Sequence, residues 1–338
     1  MNFINILNHI LRPLEWVVAQ LLTLFHHALV TFGMTAGPSP AWGIAIMCLV
    51  LVIRICLLPL FLSQMRAMQR IQVLQPQIQR IQHKYAARKD PRSKEAMQRE
   101  IMALQQRYNA NPLGSCLPSL IQAPILCSLF YTLQSLPAIA DGNAEPLGGI
   151  DHTMAGDIES SSIFGVRIAD SFGTVASPQS RIIIGVAMAL MCLTLFAIQW
   201  MLIHRNTSKD AMVSPQFRVQ KMTVFVFPAI YVVSGATLPF GVLLYWLTNN
   251  LWNLGQTLCQ LRWFPTPGSA AGERKARRDY EQDNRRRAAA GLPSLEEERA
   301  MAAREEAKAR REREKSAASR NRKQHKTPHL AKRSIVKR

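Results

Sequence analysis

A chain of 338 residues with 48% hydrophobic content, a mean hydropathy near zero and a formal charge of +19 is an average over two unlike parts. Residues 265–338 hold 22 Lys and Arg against 11 Asp and Glu, whereas nearly all the long apolar runs precede them. That division excludes a wholly soluble protein and predicts a membrane domain followed by a basic tail.

Residues 3–32 are apolar, yet Asn5, Asn8, Arg12, Glu15, Thr23 and His26 recur mostly every three or four positions and share one helical face. The pattern predicts an amphipathic helix lying in the membrane interface within an N-terminal region 1–40, with an additional span as the alternative. Arg12-Pro13 interrupts the run where a signal peptide needs continuity, so the segment is expected to be retained. Crossing about 30 Å of hydrocarbon takes about 20 apolar residues. Five runs meet or approach that length: 42–61, 117–136, 182–203, 222–238 and 240–261. The last two are joined across Leu238-Pro239-Phe240 and must form a tight hairpin.

Loop charge sets the expected orientation. Residues 63–111 carry ten Lys and Arg against three acids, and 204–221 carry four against one, while 137–180 carry one against six. Positive charge favours the cytoplasm. The acidic loop 137–180 and the N-terminus are therefore expected outside, and the tail 263–338 inside. Within 63–111, Ile71, Leu74, Ile78, Ile81 and Tyr85 form one helical stripe and Met97, Ile101, Leu104 and Tyr108 a second, with Asp90-Pro91 between them. Two short helices should pair antiparallel, the first opening at Pro76. Their basic residues Arg66, Arg70, Arg80, Lys84, Arg88 and Lys89 are candidate contacts for a partner.

The tail lacks a sustained apolar stripe and is expected to be disordered or transiently helical. Its clustered arginines favour an RNA or anionic-lipid surface as partner. With aromatic residues nearly absent there, base stacking and sequence-specific reading are not expected.

All six cysteines lie singly in or beside apolar runs and read as small core residues, not as disulfides or metal ligands. No phosphate-binding glycine loop and no His-Glu-x2-His occurs, and the spans hold neither acid nor histidine for hydrolysis. The reading is of a protein that is not an enzyme and takes no cofactor. Asn206-Thr207-Ser208 matches a glycosylation sequon on the expected cytoplasmic side, where chance explains it.

What the spans do carry is Arg54, with no acidic partner in any of them, together with Gln122, Gln199, Tyr245, Asn249, Asn250 and Asn253. A spanning arginine costs about 2.5–3.5 kcal/mol on insertion scales and persists beside water, backbone oxygens or a visiting anion. Interhelical hydrogen bonding accounts for many neutral polar residues in spans. A cluster of asparagines with an arginine implies a wet cavity that attracts acidic, hydrophilic peptide.

At these residues the chain resembles a known family. Ile53-Arg54-Ile55-Cys56-Leu57-Leu58-Pro59-Leu60, Leu74-Gln75-Pro76-Gln77-Ile78, the run Asn111-Pro112-Leu113-Gly114-Ser115-Cys116-Leu117-Pro118 with Gln122 and Pro124, and Leu244-Tyr245-Trp246 with Asn249-Asn250 are similar, in this order, to the YidC/Oxa/Alb membrane protein insertases. The short N-terminal region and external loop resemble the actinobacterial members. Val50 and Trp246 differ from the threonine and tyrosine of some relatives.

The resemblance implies an all-α polytopic membrane protein of the bacterial plasma membrane. Beside a cytoplasmic helical hairpin and an interfacial N-terminal helix, the five spans of the core (41–262) would enclose a hydrophilic groove open to cytoplasm and lipid but closed on the outside. Arg54 would receive the hydrophilic end of a nascent membrane protein, with Gln122, Gln199, Tyr245, Trp246, Asn249, Asn250 and Asn253 around it. The chain would act as insertase and membrane chaperone, alone or with the Sec translocon, with the ribosome and anionic lipids as further partners. A small-anion or solute transporter using Arg54 is the rival reading, although the paired broken halves common in transporters are not evident.

Overall fold

A computed structural model of the chain describes residues 3–87, 90–110 and 117–325. In chain order these form α1 (Phe3–Thr31), α2 (Pro40–Cys56), α3 (Leu58–Val73), α4 (Gln75–Tyr85), α5 (Pro91–Arg107), α6 (Leu117–Ala140) and α7 (His152–Ser160). A short antiparallel hairpin, β1 (Ser162–Ile163) and β2 (Val166–Arg167), follows. Then come α8 (Pro178–Arg205), α9 (Lys209–Met212), α10 (Pro215–Gly235), α11 (Phe240–Trp263), α12 (Ala270–Ala289) and α13 (Leu295–His325). Met1–Lys275 is one compact unit and Ala276–Arg338 a second.

Local chemistry accounts for the helix ends. The Ser39 hydroxyl accepts from the Ala41 amide with Pro40 at the first helical position of α2, Asp90 caps α5 through the Ser93 amide at 2.8 Å, and Ser177 caps α8. The run expected to span over 42–61 lies on two helices in the structure, α2 and α3, bent by 54° at a break of a single residue. Pro59 supplies no amide proton to continue the ladder, and its ring crowds the carbonyl one turn back.

Buried residues concentrate at one end of the bundle. In α2 they run from Ala41 to Val50, and in α11 they begin with the unbroken stretch Phe240 to Tyr245. Trp42, Ile46 and Leu49 of α2 meet Leu129, Leu133 and Leu136 of α6, Leu22 of α1 and Tyr245 of α11. Ile184, Met188 and Met191 of α8 meet Phe240, Leu243 and Leu244. The loop after α6 closes this end. Phe240 and Gly241 donate their amides to the carbonyls of Asp170 (2.7 Å) and Ile168 (2.9 Å), which satisfies the opening donors of α11. Toward the other end Ile55, Leu58, Leu251 and Leu258 are exposed, so α2 and α11 are less enclosed there.

α1 packs along α2 and α6. Thr23 and His26, assigned by periodicity to a polar face, are buried against the protein, where His26 stacks on Trp42 at 3.8 Å between ring centroids. Trp16, Val17 and Leu24 face outward instead. The loop lies across the same helix at Gly148, where φ is +59° and an added Cβ would sit 2.8 Å from the Trp16 carbonyl oxygen. Gly148→Ala should therefore cost about 1–3 kcal/mol. Thermal unfolding of the detergent-solubilised protein would show it as a lowered midpoint.

Leu11–Thr31, Ile121–Ala140 and Pro178–Arg205 are long and apolar enough to cross a membrane, and the bent α2–α3 pair makes a fourth if counted as one crossing. α10 and α11 are long enough but less apolar, because Arg218 and Lys221 open α10 and Asn249, Asn250, Asn253 and Gln256 lie along α11. Among the described residues, length and composition thus mark three crossings, or four with the bent pair, where five are expected from sequence. α8 and α10 nonetheless expose a belt of apolar side chains, with Phe225 70% and Val233 74% accessible beside Ile182, Leu193 and Ile230. Lipid accommodates such a surface and water does not.

The helical hairpin forms as its stripes predict. Leu74 and Ile78 bury against Ile101, Leu104 and Ala110. The tail, expected to be disordered or transiently helical, is over its described residues two helices with little apolar character, braced by pairs such as Arg277–Glu281 and Arg310–Glu314.

Candidate functional site

The less enclosed end holds a cavity of about 380 Å³. Its wall combines Arg54 from the last turn of α2, Gln64 from α3, Gln122 from α6, and Asn249, Asn253 and Gln256 from α11, with Leu57, Phe61, Ala123 and Leu126 between them. Helical spacing explains the α11 contribution: residues 249, 253 and 256 stand at i, i+4 and i+7 on one face. Residues 57, 61 and 64 repeat the interval, and the bend at Pro59 carries them onto the wall that Arg54 occupies.

Arg54 donates Nε to the Asn249 side-chain oxygen at 2.7 Å, and its Nη2 donates to the same oxygen. Gln122 donates its amide to the Tyr245 hydroxyl. Gln122 Oε1 and Gln256 Oε1 are buried without a partner among the described residues. Among the described residues, no carboxylate lines the cavity.

A second cavity of about 590 Å³ adjoins the first and shares Phe61 and Gln256 with it. Its lining is almost wholly apolar, with Leu51, Leu58, Leu62 and Met65 facing Leu251, Trp252 and Cys259. Polar and apolar spaces thus meet across one side-chain pair.

Of the residues singled out from sequence, Arg54, Gln122, Asn249 and Asn253 share the polar cavity. Tyr245 is 1% exposed and reaches that wall only by holding Gln122. Trp246 packs on Tyr231, ring centroids 4.7 Å apart, and Asn250 is buried away from the cavity lining. Gln199 does not line it either. Gln64 was not singled out; its interval from Leu57 and Phe61 was the available signal.

On the hairpin, Arg66 and Arg80 are exposed, Arg70 donates to the Asn109 carbonyl at 3.1 Å, and Lys84 pairs with Glu100 at 2.8 Å. The hydrogen bond it donates to Glu100 holds the Lys84 ammonium above the ordinary lysine range, and the same bond holds the Glu100 carboxyl below its own. Arg88 and Lys89 lie outside the described residues, as does the run 111–116.

Asn206-Thr207-Ser208, a chance sequon by sequence, is a buried clamp. The Asn206 side-chain oxygen accepts from the Thr266 amide at 2.9 Å, Ser208 bridges to Ser269, and Lys209 pairs with Glu273. From α3, Gln69 donates to the carbonyls of Phe264 and Pro265, and from α4, Gln79 donates to that of Asp210. Residues 264–273 are therefore fastened to the core, and the independent tail begins beyond them.

The family described as 60Kd inner membrane protein matches residues 34–266. A protein of Bifidobacterium longum strain NCC 2705, named membrane protein insertase YidC, is 44% identical over 306 residues, 90% of each chain. One of the same name from Tropheryma whipplei strain Twist is 30% identical over 284 residues, 81% of this chain and 90% of that one. A solved structure described as an active YidC insertase with its first transmembrane domain resolved is 24% identical, with a TM-score of 0.41, and the match spans 74% of this chain and 46% of that one.

Proposed function

The chain belongs to the 60Kd inner membrane protein family and is a membrane protein insertase; from that premise we propose how its cavity works. The hydrophilic end of a nascent membrane protein enters the polar cavity and places a carboxylate or other acceptor against Arg54, while its apolar segment moves along the flank of the bundle into lipid. The single observation behind this reading is a full positive charge in a cavity lined by amides, with no carboxylate on the wall. Amide walls replace part of the hydration that a polar segment loses on entering the membrane. Burial of the apolar segment, at about 25 cal/mol per Å² of apolar surface, supplies the driving force.

Charge bias of the loops supports an orientation with the hairpin and tail in the cytoplasm and the N-terminus outside. α1 would then rest in the outer interface, beneath the loop that crosses it at Gly148. On the cytoplasmic side the exposed Arg66 and Arg80 and, separately, the arginine-rich α12 and α13 each suit ribosomal RNA or anionic lipid, and the Sec translocon is a further partner of the same membrane. The solute-transporter reading falls away with the family assignment.

The direct test reconstitutes the full chain into vesicles and supplies a single-span substrate with a short acidic translocated tail. Protease protection of that tail should appear only in vesicles that hold the chain. Protection equal to that of empty vesicles would refute the mechanism.

A further inference from the structure

Arg54 is held in place by one side chain. Two of its five donors, Nε and Nη2, converge on the Asn249 side-chain oxygen from the facing helix, and Nη1 makes no hydrogen bond among the described residues. Both residues line the polar cavity. An aspartate at position 249 would grip the guanidinium as firmly, but as an ion pair that cancels its charge. A neutral amide oxygen fixes the same fork and leaves the full charge for another acceptor.

Resting on the insertase reading above, we infer that Asn249 is a positioning residue that aims an uncancelled Arg54 at carboxylates of the incoming hydrophilic segment. The cavity thereby favours acidic over neutral segments, and the preference belongs to the pair, not to the arginine alone. The plainer alternative is that Asn249 merely ties α2 to α11. That tie is already supplied elsewhere, where Val242 and Tyr245 of α11 join the buried cluster of Trp42, Ile46 and Leu49. A structural tie would also serve all substrates alike, which separates the two roles.

The test uses the full chain in vesicles and two versions of one single-span substrate, whose short translocated tails carry aspartates or asparagines at the same positions. The readout is the ratio of protected acidic to protected neutral tail. Asn249→Ala should lower acidic-tail insertion about tenfold, the scale of a lost hydrogen bond to a charged group, and leave the neutral tail nearly unchanged. Asn249→Asp should erase the preference as fully as Arg54→Ala, whereas Asn249→Gln, which keeps an amide oxygen, should retain part of it. Combining Asn249→Ala with Arg54→Ala should be no worse than Arg54→Ala alone. Equal loss for both tails, or a double variant that multiplies the two single losses, would overturn the inference while leaving the role of Arg54 intact. An unchanged ratio in Arg54→Ala would instead remove the charged-cavity mechanism and this inference with it. Resistance of each variant to limited proteolysis, together with the Asn249→Gln partial rescue, separates misfolding from lost positioning.

Discussion

Arg54→Glu should abolish insertion of substrates with acidic translocated tails, and Arg54→Ala should reduce it by roughly ten- to a hundredfold. The smaller change removes the only charged side chain on the cavity wall among the described residues, and hydrogen bonds to charged groups are worth about 1.5–3 kcal/mol. The larger change adds repulsion, because a carboxylate in an amide-lined space meets the visiting carboxylate with little water to screen it. Arg54→Lys should fall between wild type and Arg54→Ala: it keeps the charge but loses the planar fork that meets Asn249 through two nitrogens. Complementation of depleted cells, scored by the protease-protected fraction of such a substrate, measures all three. Equal complementation by the three variants would rule out a role for the charge. Because a glutamate also burdens the chain's own insertion, variant abundance in the membrane is the necessary companion measurement.

Tyr245→Ala should produce the largest loss of stability among single changes around the cavity, about 3–5 kcal/mol by analogy with aromatic truncations in cores. The ring is among the largest fully buried side chains and joins the cluster shared by α1, α2, α6 and α11. Its loss would leave a void at the closed end and free the Gln122 amide from the hydroxyl it now meets. Tyr245→Phe keeps the ring and removes only that bond, so it should cost about 1 kcal/mol. Thermal unfolding of the purified chain in detergent separates the two cases. A Tyr245→Phe midpoint as low as that of Tyr245→Ala would shift the importance from packing to the hydroxyl.

Much of this architecture was legible in apolar spacing. The stripes of Leu74, Ile78, Ile101 and Leu104 specify the hairpin because short paired helices have few other ways to hide apolar side chains. Arg54 was legible as an anomaly, since a charge amid apolar residues demands a partner. Its partner was not, because Asn249 lies 195 positions away and helix facing depends on how α2 meets α11. Periodicity grouped Thr23 and His26 correctly on one face of α1, yet a shared face does not say whether water or protein touches it, and here protein does. The break at Pro59 was readable in principle; the apolarity of the surrounding run masked it. In the tail, composition ruled out a core but could not rule out helices sustained by ion pairs at one-turn spacing.

The bend after Cys56 also has a bearing on the lipid itself. The 17 residues of α2 rise about 25 Å, against a hydrocarbon layer of about 30 Å. Hydrophobic mismatch of a few ångströms costs fractions of a kcal/mol per ångström and is relieved when the bilayer thins around the short element. Where α2 alone meets the hydrocarbon, Arg54 in its last turn is expected near the membrane surface instead of at mid-depth, which would shorten the barrier for an arriving polar segment. Insertion measured in vesicles of increasing acyl-chain length should then fall as the hydrocarbon layer thickens beyond the reach of α2.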